Sequence, residues 1–268
     1  MPELPEVETT VRGLEKVLFG RRIARVEARR ADLRRTFPAG LGQRLTGATI
    51  TGLGRRGKFG LVHTDRGDTL VFHLGMSGKW RVDPADTDRH DHLLIETEEG
   101  RVLSLNDPRR FGSVDLVPTE SLERWGPLQL MGPEPTELSV ADLRSRLRGR
   151  TAPIKTLLLD QRIVAGLGNI YACEALHRSG INPRTAGGRL SSVRVERLVE
   201  AIRKVLGEAI EEGGSSLRDY ARPDGELGYF SARFAVYDRE GGPCACGGTV
   251  RRIVQGGRST FYCPRCQK

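Results

Sequence analysis

Four cysteines crowd the last 25 residues of this 268-residue chain, as Cys244-Ala-Cys246 and Cys263-Pro-Arg-Cys266. Two close pairs of thiolates are the donor set of a tetrahedral zinc site. Four sulfur ligands leave no open position for water or substrate, so such a zinc would be structural. The second pair has the common two-residue spacing, whereas the single alanine of the first makes a tighter knuckle. Free or redox thiols are the alternative. Between Cys244 and Lys268 there is no Asp or Glu, while Arg251, Arg252, Arg258, Arg265 and Lys268 carry positive charge. A segment this small cannot build its own core, so a metal would have to hold it. A metal-pinned hairpin dense in arginine suits phosphate contacts. Cys173, alone on a helix-like stretch, reads as a small buried residue.

The whole chain is basic in the same sense. Lys and Arg number 43 against 34 Asp and Glu, a net charge of +9, which points to a polyanionic partner. A general preference for Arg over Lys would also yield that charge, so its location decides. Hydrophobic residues make up 38%, and 33 glycines bring the apolar share to that of an ordinary globular protein. No run approaches the roughly 18 apolar residues of a membrane helix. Glu3, Glu6 and Glu8 stand where a signal peptide carries positive charge. A soluble, cytoplasmic protein is expected.

At roughly 150 residues per domain, the length fits two domains. Leu4, Val7, Val11, Leu14 and Leu18 recur at three- and four-residue steps, with Pro5 and the glutamates in the first turns, which predicts an amphipathic helix. From about 22 to 117, short alternating apolar runs are broken by turns, as in 61–63 and 69–74, or 93–97 and 101–105. An antiparallel sheet or sandwich is expected there. The breakers Gly132, Pro133 and Pro135 mark a boundary. Beyond them the period is helical: Ser139 and Asp142 form a capping signal ahead of Leu143 and Leu147. A longer helix carries Val195, Leu198, Val199, Ile202, Leu206 and Ile210 and stops at Gly213-Gly214. The predicted class is α+β: an N-terminal helix with an antiparallel β-sandwich, then a helical domain and a C-terminal hairpin.

Six strings in order then carry a resemblance. Pro2-Glu3-Leu4-Pro5-Glu6-Val7-Glu8-Thr9 is followed by Lys58 in Arg-Gly-Lys-Phe-Gly, His-Leu-Gly-Met-Ser-Gly at 73–78 and Asn-Asp-Pro-Arg-Arg-Phe-Gly at 106–112. Gly166 to Glu174 and Gln-Gly-Gly-Arg-Ser-Thr-Phe at 255–261 complete the set. Together they resemble bacterial formamidopyrimidine-DNA glycosylases, across both halves and the tail. The one-residue Cys-Ala-Cys spacing departs from that family's common form. The resemblance implies a β-sandwich domain over 1–132, a linker at 133–138, a helix-two-turn-helix domain with a lesion loop over 139–235, and a zinc-finger hairpin over 236–268. The implied partner is duplex DNA containing oxidised purines or abasic sites, the cofactor one structural Zn2+, and the state a monomer associated with the nucleoid.

The resemblance also implies roles. Loss of Met1, which the small Pro2 permits, would leave a secondary amine whose pKa lies near the α-amino value of about 8, partly unprotonated at neutral pH. That amine would attack a sugar C1′ and form a Schiff base. Glu3 would move protons, Lys58 would contact phosphate and assist β-elimination, and Arg258 would assist δ-elimination. Asn169 would add a phosphate contact at a helix start, with His90, Arg150, Lys155 and His73 as weaker DNA-binding candidates. Met76, Arg109 and Phe111 would fill the gap left by an extruded base; without the resemblance Met76 and Phe111 read as core. Glu6 and Glu174 would support the active site or simply cap and pair. The glycine-rich stretch 213–229 would close over the flipped purine. Two other readings stand beside this one: an endonuclease VIII-type enzyme for oxidised pyrimidines, and a zinc-stabilised DNA-binding protein without catalysis.

Overall fold

The structure is a computed structural model that describes residues 2–215, 223, 225 and 228–268. They form two compact units, Met1–Gln129 with Glu212–Tyr229, and Leu130–Glu211 with Phe230–Lys268.

In the first unit, α1 (Leu4–Leu18) buries the predicted stripe of Leu4, Val7, Val11, Leu14 and Leu18. Pro5 sits in its first turn, where a missing N–H goes unfelt. Eight strands follow: β1 (Ile23–Ala28), β2 (Ile50–Arg56), β3 (Phe59–Thr64), β4 (Asp68–His73), β5 (Lys79–Val82), β6 (Asp91–Thr97), β7 (Val102–Asn106) and β8 (Ser113–Pro118). Two short helices, α2 (Leu41–Leu45) and α3 (Gly126–Gln129), interrupt and follow them. The strands make two antiparallel four-stranded sheets, ordered β1-β6-β7-β5 and β2-β3-β4-β8. Leu14 and Leu18 of α1 join Leu70, Phe72, Leu93 and Leu105 from both sheets in one apolar cluster. This is the predicted sandwich. The turns at both pairs of runs fall where the alternation breaks, and β3 and β6 each begin two residues earlier than those runs.

In the second unit, α4 (Val140–Leu147) begins with the predicted Ser139/Asp142 capping box. It is followed by α5 (Ile154–Leu158), α6 (Asn169–Arg178) and α7 (Ser192–Glu211), the last burying Val195, Leu198, Val199, Ile202 and Leu206. The hairpin of β9 (Arg251–Gln255) and β10 (Arg258–Tyr262) closes through a two-residue turn at Gly256-Gly257. No helix among the described residues is long and apolar enough to cross a membrane.

The compact units divide the chain differently from the expected limits at 212–229, which groups with the first unit rather than with the helices. The reason is hydrogen bonding. Both the backbone N–H and the hydroxyl of Ser215 donate to Glu6 Oε1, at 2.7 and 2.9 Å, and the Val82 N–H donates to the Pro223 carbonyl at 3.0 Å.

Candidate active site and nucleic-acid interface

Pro2 and Glu3 are buried at the start of α1. Glu3 is the N-cap residue and shares a reciprocal capping box with Glu6, whose Oε2 accepts from the Glu3 N–H at 2.8 Å. The other oxygen of Glu6 holds Ser215, so one buried carboxylate ties the N-terminal turn to the entry of the glycine-rich stretch. Most of that stretch, 216–222, 224, 226 and 227, lies outside the described residues.

Lys58 occupies the tight turn between β2 and β3 and is 8% exposed. Arg55 links that turn to α1, the helix that follows Pro2: its guanidinium donates to Glu8 Oε2 at 2.9 Å and to the Gly57 carbonyl at 3.0 Å. His73, at the end of β4, accepts from the Gly75 N–H at Nδ1, 3.0 Å away, so the neutral ring carries its proton on Nε2. Burial, with Lys58, Arg34 and Arg35 adding positive field, lowers its pKa from 6.5 to about 4. His73 is therefore a neutral donor at physiological pH. It lines a cavity of about 280 Å³ with Arg34, Arg35, Phe59, Phe111 and Ser113.

Met76 and Phe111 are 36% and 44% exposed, unusual for large apolar side chains, and the Arg109 guanidinium lies 4.9 Å from the centre of the Phe111 ring. The reading of Met76 and Phe111 as core is thereby overturned. Their two loops meet backbone to backbone at Gly75: a Cβ there would lie 2.3 Å from the Phe111 carbonyl carbon, and φ is +63°. Only glycine fits. His90, in the connection before β6, is half-buried, with Arg89 Nε donating to its Nε2 at 3.0 Å.

The second unit holds the remaining candidates. Asn169 opens α6, and its amide donates to the Ser259 carbonyl at 2.8 Å, fixing the helix start beside β10. Arg258, the first residue of that strand, is exposed, as is Arg150 after α4. Glu174 is fully buried, and its carboxylate accepts from the N–H groups of Ala235, Val236 and Tyr237 at 2.8–3.0 Å. Its support is that of a brace for the segment leading into the hairpin. Lys155, the weaker phosphate candidate on α5, is 0% exposed.

The Sγ atoms of Cys244, Cys246, Cys263 and Cys266 all lie within 4.8 Å of one another. Cys244 to Cys266 is 3.9 Å and Cys246 to Cys263 is 3.5 Å. Zinc–sulfur bonds of about 2.3 Å in a tetrahedron put the sulfurs about 3.8 Å apart, so the cysteines fit one structural zinc. Burial, then neighbouring thiols, push the Cys266 thiol up, while at Cys263 burial is outweighed by the Cys266 and Arg265 N–H groups, bringing it to about 7. Four thiolates become compatible when a cation shares their charge. The short knuckle closes because residue 248 is glycine: a Cβ would sit 2.9 Å from Cys263 Sγ. His177, on α6, places Nε2 3.3 Å from Cys244 Sγ. Sequence reading missed His177, which no motif marks, and Asp107, which sat unremarked inside a quoted motif.

Three family models match in chain order: the formamidopyrimidine-DNA glycosylase N-terminal domain at 1–114, the formamidopyrimidine-DNA glycosylase H2TH domain at 131–221, and a zinc finger found in FPG and IleRS at 243–268. Curated formamidopyrimidine-DNA glycosylases of Rhizorhabdus wittichii and Novosphingobium aromaticivorans are 68% and 65% identical, with all of each chain covered. Among solved structures, a Lactococcus lactis FPG mutant in complex with Fapy-dG containing DNA is 36% identical, with a TM-score of 0.92 and full coverage of both chains. The MutM (FPG) protein of Thermus thermophilus is 41% identical at a TM-score of 0.90, with 99% of this chain and 98% of that one covered. The chain belongs to the formamidopyrimidine-DNA glycosylase family. Its helical segment is the H2TH domain of that family, and its C-terminal hairpin the FPG-type zinc finger.

Proposed function

We propose that this chain is a bifunctional DNA glycosylase and AP lyase of base excision repair that removes 8-oxoguanine and formamidopyrimidines from duplex DNA. The observation that carries this reading is the exposed trio of Met76, Arg109 and Phe111, held ready on the first unit. A side-chain wedge is what an enzyme needs to replace a base taken out of the stack. The matched relatives are named for formamidopyrimidine, and solved neighbours hold Fapy-dG or abasic-site DNA.

The chemistry assigned to the chain's own residues follows. With Met1 removed, the Pro2 nitrogen attacks C1′ of the damaged nucleotide while the bond from C1′ to the base breaks, and the base leaves with a proton. Opening of the sugar ring gives an iminium between Pro2 and C1′, with Glu3 delivering the proton to the ring oxygen. Loss of a C2′ proton then expels the 3′ phosphate, and a further elimination expels the 5′ phosphate. Lys58, Arg258, His73 and Asn169 hold phosphates, and neutral His73 does so through its Nε2–H. Zinc supplies structure to the hairpin that presents Arg258, and no bond-breaking step. Repair of chromosomal DNA places the protein at the nucleoid in the cytoplasm.

Comparative excision from duplexes carrying 8-oxoguanine or thymine glycol tests the substrate class. Preference for 8-oxoguanine is expected, and preference for thymine glycol would establish the endonuclease VIII-type reading instead.

A further inference from the structure

Met76 hangs from the loop 74–78 and Arg109 and Phe111 from the loop 107–112, yet one buried side chain fastens both. Asp107 is 0% exposed. Its Oδ1 accepts from the Ser77 hydroxyl at 2.6 Å, and its Oδ2 accepts from the Gly112 N–H at 2.8 Å. The Ser77 oxygen in turn accepts from the Arg109 N–H at 3.1 Å. Each of the three exposed side chains thus lies on, or next to, a residue hydrogen-bonded to this pair. Asp107 is itself anchored behind the loops: its N–H donates to the His90 carbonyl at 3.0 Å, and its carbonyl accepts from His92 Nε2 at 3.0 Å. The loop it holds also bends through a left-handed residue, Arg110, at φ +59°. A non-glycine residue keeps that conformation where its surroundings over-determine it.

We propose that Asp107 is a positioning residue for the base-displacing wedge. Its carboxylate, braced through Ser77, fixes Met76, Arg109 and Phe111 relative to one another, and its contribution lies in opening the base pair rather than in breaking bonds. The inference rests on the wedge reading of those three side chains. Acceptor chemistry makes it specific. Asparagine at 107 would keep the shape, but an NH2 group facing the Gly112 N–H sets donor against donor, and one facing Ser77 forces that hydroxyl to accept, so that it no longer donates to residue 107.

The test compares the full-length wild type with D107N and S77A on two substrates under single turnover. One is a duplex with 8-oxoguanine opposite cytosine; the other is a single-stranded oligonucleotide with an abasic site, where no pair needs opening. Duplex excision should fall by about 100-fold in D107N, and by less in S77A, while cleavage of the single strand stays within about two-fold of wild type. The fluorescence rise of a 2-aminopurine placed beside the lesion, which reports unstacking, should be lost in step with duplex excision. Equal losses on both substrates, or no loss on either, would overturn the proposal. Should D107N fail to fold, S77A carries the same comparison, since it leaves the bond from Gly112 intact. The double substitution M76A/F111A separates this inference from the reading beneath it. Wild-type duplex excision in that variant removes the wedge itself, whereas a slow wedge variant beside a wild-type D107N removes only the role of Asp107.

Discussion

His73 shows how a single side chain couples the site to pH. The sign of the coupling follows from its depressed pKa, about 4 in the folded chain against 6.5 as the ordinary value. Above pH 6.5 both folded and unfolded states are neutral at this ring, and its contribution to stability is fully present. As pH falls from 6.5 toward 4, the unfolded chain takes up a proton that the folded chain refuses, so stability is lost through that window, by about 3 kcal/mol at its acid end. Urea unfolding of wild type and His73→Gln between pH 7 and pH 4 checks this: the wild type should lose more stability than the variant. Parallel losses would mean that the ring is protonated in the fold. The same burial that creates the shift keeps Nε2–H available as a neutral donor.

At the scale of elements, the loops that carry Met76 and Phe111 depend on a contact no side chain tolerates. Gly75→Ala puts a Cβ 2.3 Å from the Phe111 carbonyl carbon at a positive φ. The expected destabilisation is about 2–4 kcal/mol. A lowered Tm together with slower duplex excision would confirm it, and an unchanged Tm would show that the loops are free to part. Zinc removal acts on the other unit. Chelation, or C266S, should abolish stoichiometric zinc, disorder 244–268 and weaken DNA binding, because the apolar cluster around Val236, Val250 and Phe261 is completed by the cysteines themselves. Elemental analysis with amide exchange over the hairpin reads both effects. A metal-free protein with a protected hairpin would contradict them.

Elements of this kind were legible in the sequence to unequal degrees. The stripe of α1, the Ser139 capping box and the alternating runs of the sandwich are local patterns, and each appears where the spacing predicts. The cysteine cluster was equally readable, since ligand type and spacing nearly determine a tetrahedron. What stayed hidden depends on partners distant in sequence. Lys155 reads as one more surface cation, yet it is fully buried in α5. Ser215 joins the first unit because Glu6, 209 positions earlier, accepts its two donors. Met76 and Phe111 have core-like composition, so residue type alone does not show their exposure, and it was the resemblance that marked them.

Across the whole molecule, the surplus of +9 has a measurable consequence. If arginines on the hairpin and lysine and histidine on the sandwich hold several phosphates, the logarithm of DNA affinity should fall linearly with the logarithm of salt. A slope of about −0.9 per phosphate neutralised is expected on duplex DNA, and Arg258→Ala should reduce it by about one. A flat salt response would mean that the charge is only compositional. Charge alone, however, serves any DNA-binding protein, including one without catalysis. What separates the two is a covalent bond.

Borohydride trapping on a duplex containing 8-oxoguanine opposite cytosine, with an undamaged duplex beside it and mass spectrometry of the cross-linked peptide, tests that bond directly. A lesion-dependent adduct on Pro2, with Met1 absent, is the expected result and would establish nucleophile, substrate class and processing in one measurement. Bound DNA with no adduct, from protein whose Pro2 amine is shown to be free, would contradict the Schiff-base mechanism on this lesion.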